Sequence, residues 1–193
     1  MFKNHKKMKT ITRCAWCEKD DLYRKYHDEE WGKPVYDDAT IFEFLVLETF
    51  QAGLSWYTIL SKREHFRKAF DQFDYQKIAK YPEEKLATLL ENPGIIRNKL
   101  KIKATVTNAQ AFIKIQEEFG SFSKYIWGFV DGKPIDNKPK SLSEVPATTA
   151  ISDALSKDLK KRGFKFTGST VMYAHMQATG MVNDHITECF IRK

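Results

Sequence analysis

The three cysteines of the chain all lie in its terminal segments, Cys14 and Cys17 near the start and Cys189 near the end. His185 precedes Cys189 by four residues, a spacing that on a helix sets imidazole and thiolate on one face, one turn apart. Imidazole and thiolate both ligate zinc, and two more donors from Cys14, Cys17 and His27 would complete a tetrahedral set. The spacing Cys14-Ala15-Trp16-Cys17 favours the two cysteines as a zinc knuckle; the competing pairing is Cys14 with His27. Four protein ligands leave no position for a catalytic water, so such a zinc is structural and a zinc hydrolase is disfavoured.

A second chemical signal is Glu48, set in an apolar run with Phe44 and Leu45 one turn before it and Gln51 and Ala52 one turn after. Burying an ionised carboxylate costs several kcal/mol unless it is paired, on the order of a whole domain's margin of stability. The run leads into Gln51-Ala52-Gly53-Leu54-Ser55-Trp56, where Gly53 lets the backbone approach a ligand. With Tyr23, Tyr26, Trp31 and Trp56 as walls, a carboxylate becomes a receptacle for a flat, cationic heterocycle.

A third is the segment 89–100. Gly94-Ile95-Ile96 reads as a tight turn between two helices whose free amides can hold a phosphate, with Arg97, Lys99, Lys101 and Lys103 adding charge. It resembles a helix-hairpin-helix, the device for contacting a DNA backbone without reading sequence. The net charge of +7 suits a polyanionic partner.

The elements that must hold these groups read as helices. Residues 41–50 are apolar almost all round, as in a helix buried on most faces. Helical spacing extends over 54–70 and 104–119, with shorter helices at 83–90 and 122–130. Ser152 reads as the cap of another helix and Gly180 as the stop of a last one over 169–179. Residues 131–146 are a loop rich in proline, and 164–166 is the best short strand. The expected fold class is all-α, two interleaved helical lobes in one domain over residues 13–193, with residues 1–12 a flexible basic tail. The longest apolar run falls far short of a membrane span, and few cysteines with no export signal suggest the cytoplasm.

Several stretches together are similar to the DNA-3-methyladenine glycosylase I family of helix-hairpin-helix glycosylases. They are Arg13-Cys14-Ala15-Trp16, Tyr23 to Asp28 with Glu30-Trp31-Gly32, Leu47-Glu48, Gln51 to Trp56, Gly94 to Arg97, Ser152 to Lys157, Lys161 to Phe166 and Val182 to His185. The resemblance spans nearly everything from Arg13 onward. It implies one structural zinc on Cys14, His27, His185 and Cys189, leaving Cys17 a spare thiol. It also implies base recognition by Glu48, Tyr23, Tyr26 and Trp56, and a wedge into DNA at Leu54 with Gln51 and Gly53 beside it. The implied activity is release of 3-methyladenine from double-stranded DNA by base flipping, in a monomer, without strand cleavage. The alternative from another class is a zinc-stapled DNA-binding module without activity, which has no use for Glu48 among aromatics.

Overall fold

The computed structural model describes residues 11–192. The expected tail over 1–12 lies almost wholly outside that range, and only its last two residues fall within it. Among the described residues ten α-helices run in chain order as α1 (Asp21–Glu29), α2 (Asp38–Gln51), α3 (Trp56–Leu60), α4 (Arg63–Ala69), α5 (Tyr75–Ile78), α6 (Glu83–Glu91), α7 (Lys99–Phe119), α8 (Phe122–Trp127), α9 (Ala150–Lys161) and α10 (Ser169–Ala178). Two strands of two residues each, β1 (Ile135–Asp136) and β2 (Val182–Asn183), pair in parallel with Ile135 opposite Val182. The fold is therefore mainly helical. Among the described residues no helix is long and apolar enough to cross a membrane.

Helix α2 forms the axis. Seven apolar side chains between Ile41 and Phe50 are buried with Glu48 and Thr49 among them, and the helix packs against α3, α7, α8 and α10. Asp37 caps it by accepting from the Thr40 amide at 2.8 Å. Asp38, in its first turn, accepts from the amides of Phe122 and Ser123 at 2.9 and 2.7 Å, so one carboxylate also starts α8. At the far end Lys101 of α7 reaches the carbonyls of Phe50 and Ala52 at 2.9 and 2.5 Å, a buried cation on the negative end of α2. That ammonium is spent on holding the turn after α2; it does not join the basic surface expected of it.

Several expected elements are corrected. Residues 54–70 form two helices because Ser55 caps a new start and Lys62 leaves helical geometry. The cap of α9 is Thr149, and Ser152 is the reciprocating third residue of the capping box. Residues 164–166 are not a strand; Phe166 takes a left-handed conformation (φ 57°) in the α9–α10 connection. The 131–146 loop contains β1 and a short 3₁₀ turn, Leu142–Glu144. The 83–90, 104–119, 122–130 and 169–179 helices correspond to α6, α7, α8 and α10, with α7 starting five residues early.

Gly180 shows how tightly the N-terminal aromatic segment is fitted to α10. Its φ is +68°, and a Cβ there would lie 2.3 Å from the Lys33 carbonyl carbon and 2.4 Å from the Pro34 nitrogen. Nearby the amides of Gly32 and Val35 donate to the carbonyls of Gln177 and Thr179 at 2.9 and 3.0 Å. Gly180→Ala must separate these backbones, at a cost of about 3 kcal/mol or more. The expected readout is a fall in thermal midpoint of about 6–12 °C.

Candidate active site and metal centre

Helix α1, the turn after α2, the start of α3 and one face of α10 enclose a cavity of about 180 Å³. That is below the ~300–1,000 Å³ usual for drug-sized ligands and suits one small ring system. Its walls are aromatic: Trp16, Tyr23, Tyr26, Trp31 and Trp56. Tyr26 and Trp56 sit with ring centres 5.3 Å apart, Trp16 and Tyr23 4.9 Å, and Trp16 and Trp31 5.0 Å. Local chemistry places them. Asp20 caps α1 by accepting from the Tyr23 amide, and its other oxygen takes the Tyr57 hydroxyl, tying α1 to α3. Ser55 caps α3 through the Thr58 amide and so sets Trp56 at the first helical position.

Glu48 opens into this cavity from α2 and is 3% exposed. Its Oε2 has no hydrogen-bond partner, and neither has the buried indole nitrogen of Trp56. Unpartnered buried polar atoms are rare and costly, and these two belong to residues that line one hollow. Burial alone pushes the Glu48 carboxyl up from its ordinary 4.5 to about 8. Burial likewise raises the phenols of Tyr26 and Tyr23, keeping both as neutral donors. Among the described residues lining the cavity Glu48 is the only carboxylate, and no lysine lines it.

A second hollow adjoins the first, bounded by Glu48, Gln51, Gly53, Leu54 and, from α10, Thr170 and Val171. Gly53 is left-handed (φ 81°) and the Leu54 amide donates back to the Gln51 carbonyl. The tight turn leaves Leu54 42% exposed, an apolar side chain standing at the rim.

The chain ends meet behind the aromatic wall. Donor atoms of Cys14, His27, His185 and Cys189 all lie within 4.8 Å of one another, and all four residues are buried. His185 Nδ1 lies 3.1 Å from His27 Nε2, Cys189 Sγ lies 3.5 and 3.6 Å from the imidazoles of His185 and His27, and Cys14 Sγ lies 3.8 Å from His185 Nδ1. Zinc bonds of about 2.0–2.3 Å at tetrahedral angles demand donor separations of roughly 3.3–3.8 Å, and these four contacts lie in or close to that range. The outer nitrogens are also held: His27 Nδ1 lies 2.7 Å from Asp28 Oδ1, and His185 Nε2 lies 3.0 Å from the Trp31 carbonyl. Arg13 clamps Asp28 through Nε and Nη2 at 2.9–3.0 Å. Such outer partners fix each imidazole's tautomer with its lone pair inward. Burial lowers both imidazoles, His185 to about 4, and raises the Cys14 thiol to about 12. A thiol that buried needs a cation to ionise.

Cys17 is excluded from this set. Its Sγ donates to the Cys14 carbonyl at 3.1 Å, inside the 3₁₀ turn Ala15–Cys17. The knuckle spacing therefore misleads: within the turn the Cys17 thiol is engaged by the Cys14 carbonyl and does not belong to the cluster. Nor do His185 and Cys189 sit on a helix; they flank a turn closed by the Cys189 amide on the Ile186 carbonyl at 2.9 Å.

The 89–100 hairpin joins α6 to α7, but two of its expected free amides are taken. Asn92 Oδ1 accepts from Gly94 at 2.8 Å, and the Asn92 carbonyl from Ile95 at 3.4 Å. Ile95 is a buried core side chain. The amides of Ile96 and Arg97 have no acceptor among the described residues, and the Arg97 side chain is exposed. In the second connection, 162–168 between α9 and α10, Gly168 stands at the cap of α10 without a side-chain hydrogen bond, and Ser169 lines a hollow with Asp153, Lys157 and Lys160.

A family model described as methyladenine glycosylase matches residues 16–193. The chain belongs to the methyladenine glycosylase family. Among family relatives, DNA-3-methyladenine glycosylase 1 of Escherichia coli (strain K12) is 48% identical over 93% of this chain and 96% of that protein. The Haemophilus influenzae DNA-3-methyladenine glycosylase is also 48% identical, over 92% and 96%. A crystal structure of 3-methyladenine DNA glycosylase I superimposes with a TM-score of 0.90 at 51% identity, covering 93% of this chain and 98% of that one. The Staphylococcus aureus enzyme, solved for the structural basis of its 3-methyladenine recognition, superimposes at 0.91 with 38% identity, covering 95% and 97%.

In this methyladenine glycosylase framework four cavity residues carry no role legible in the sequence: Trp16, Leu142, Ala174 and Gln177. Trp16 was visible only as part of a cysteine motif. Leu142 is 57% exposed and Gln177 sits in an apolar helix, so neither carries a spacing signal.

Proposed function

We propose that this chain is a DNA repair glycosylase that hydrolyses the N-glycosidic bond of 3-methyladenine in alkylated double-stranded DNA and releases the free base. The carrying observation is Glu48, a buried carboxylate with an orphaned oxygen inside an aromatic cavity sized for one ring system. The names of the relatives point to the same substrate.

A base must leave the stack to reach such a pocket, and a damaged pair costs less to open. Leu54 is the wedge that fills the vacated space, with Gln51 and Gly53 shaping its turn. Gly94, Ile95, Ile96 and Arg97 grip the backbone, with the open amides at Ile96 and Arg97 supporting that role; Lys157 and Lys160 extend the basic face. Within the pocket Tyr26 and Trp56 stack on the base, Tyr23 closes the side, and Glu48 accepts hydrogen bonds from its edge. A cationic base is attracted by ring faces and carboxylate together.

The glycosidic bond of a 3-methylated nucleotide is already weak because the base is positively charged. As the carbon–nitrogen bond breaks, its electron pair neutralises the base and the positive charge passes to an oxocarbenium-like sugar. Water adds its oxygen to the sugar carbon and gives up a proton. Selection and holding thus do most of the work; a bound cationic base favours the ionised form of Glu48, which then stands near the moving charge. With no lysine in the cavity to form a Schiff base, the strand stays intact.

The four-residue cluster holds one structural zinc, joining the termini of a single domain over residues 13–193 in two interleaved lobes. A bound zinc supplies the cation that lets buried thiolates ionise; the chain's own residues do the rest, since Trp16 and Trp31 pack edge-on against His27 and His185. The enzyme works as a cytoplasmic monomer.

Incubation with alkylated duplex DNA is the test. Free 3-methyladenine should appear while the strand remains uncut; binding without release favours the module without activity. Trp56→Ala should keep its fold and lose at least tenfold in base release, on the scale of ~1–3 kcal/mol for a base–aromatic stack. Unfolding of that variant would assign Trp56 to the core instead.

A further inference from the structure

Helix α10 supplies the cavity with a second polar group, and it is built to a fixed orientation. Gln177 lines the cavity, and its Nε2 donates to Asp184 Oδ2 at 2.8 Å. Asp184, in the turn after β2, is 2% exposed and also accepts from the Tyr173 hydroxyl and from Asn137 Nδ2, each at 2.7 Å. An ionised carboxylate has no hydrogen to give, so the amide of Gln177 has one orientation: its NH₂ towards Asp184 and its Oε1 away. Among the described residues no donor engages that Oε1.

We propose that Gln177, oriented by Asp184, sets specificity by accepting a hydrogen bond at Oε1 from the exocyclic amine of the flipped base. The inference rests on the reading that the cavity takes a 3-alkylated purine. A 6-amino group carries two hydrogens, enough for both Glu48 and Gln177. A 6-oxo purine instead places lone pairs against two acceptors. Sites built to bond an N–H reject analogues lacking it far better than hydrophobic walls reject a methyl. Asp184 is then a positioning residue: it touches no substrate, but it prevents the amide from turning its donors inward.

The test compares release of 3-methyladenine and 3-methylguanine from one preparation of methylated duplex DNA. Gln177→Met should lower the ratio of the two rates by roughly tenfold, the scale of one hydrogen bond to a charged group, with 3-methylguanine release maintained. Asp184→Asn, which can turn an amide donor towards Gln177, should lower the ratio as well. An unchanged ratio in Gln177→Met, or equal loss of both bases, overturns the proposal. A measurement on the unaltered protein covers variants that fail to fold. The side-chain amide resonance of Gln177 should move on titration with free 3-methyladenine and stay in place with 3-methylguanine; equal responses overturn the proposal. Release of neither base by the unaltered protein contradicts the glycosylase reading itself, and shows before any substitution is made.

Discussion

Glu48→Gln should abolish most base release and at the same time make the folded chain more stable at alkaline pH. The carboxyl is fully buried among Phe44, Leu45 and the aromatic walls, and burial alone raises it from 4.5 to about 8. Between those two pH values the folded chain keeps a proton that the unfolded chain has released. Stability therefore falls as pH rises through that window and levels off above about 8. The whole fall is about 3–5 kcal/mol, set by the distance between the two values. A glutamine carries no proton to lose, so the variant should lack this fall, and its unfolding free energy should gain on the native one from pH 5 to pH 9; the buried imidazoles, lowered in both proteins, contribute equally to each and cancel in the difference. Base release should fall about a hundredfold or more, the scale seen when a preorganised polar group is removed from a reaction site. Denaturant titrations at pH 5 and pH 9 with parallel release assays check both halves. A parallel pH profile in the variant would place the stability loss elsewhere, and native release rates would remove Glu48 from the chemistry.

The second large effect is at the joined termini. His27→Ala should leave the protein without zinc and lower its thermal midpoint by about 6–12 °C, equivalent to about 3 kcal/mol or more. Cys17→Ser should retain one zinc per chain, because its Sγ already has a carbonyl partner and does not belong to the cluster. Metal content by emission spectroscopy and thermal melts separate the two. Loss of zinc should also weaken base binding, since the imidazole of His185 supports the Trp31 carbonyl at 3.0 Å and Trp16 packs on His27. Zinc retained in His27→Ala and lost in Cys17→Ser would restore the knuckle pairing that spacing favours.

What could be read from the sequence depended on how local the cause was. The α2 helix and the strange position of Glu48 within it were legible, because an apolar run with one carboxylate is a local pattern. The cap of α9 was missed by three residues because Ser152 is half of a reciprocal pair whose other half, Thr149, lies outside the periodic stretch. The break within 54–70 was missed because its apolar spacing survives across two helices. His27 is the clearest case. It reaches the metal cluster from the end of α1, and Cys17, though three residues from Cys14, is engaged within a 3₁₀ turn; only tertiary placement decides between them. Resemblance made that choice where spacing could not. Gln177 left no trace at all, since its meaning comes from Asp184 across a turn and from the cavity beyond it.

The most direct test of Glu48 as the receptor for the base is tryptophan fluorescence on titration with free 3-methyladenine. Trp16, Trp31 and Trp56 line the cavity, so a ligand lying against them and Glu48 must quench their emission. Saturable quenching in the native protein that disappears in Glu48→Gln, with the fold intact, is the predicted result. Quenching of equal strength and midpoint in both proteins, or in neither, would contradict it.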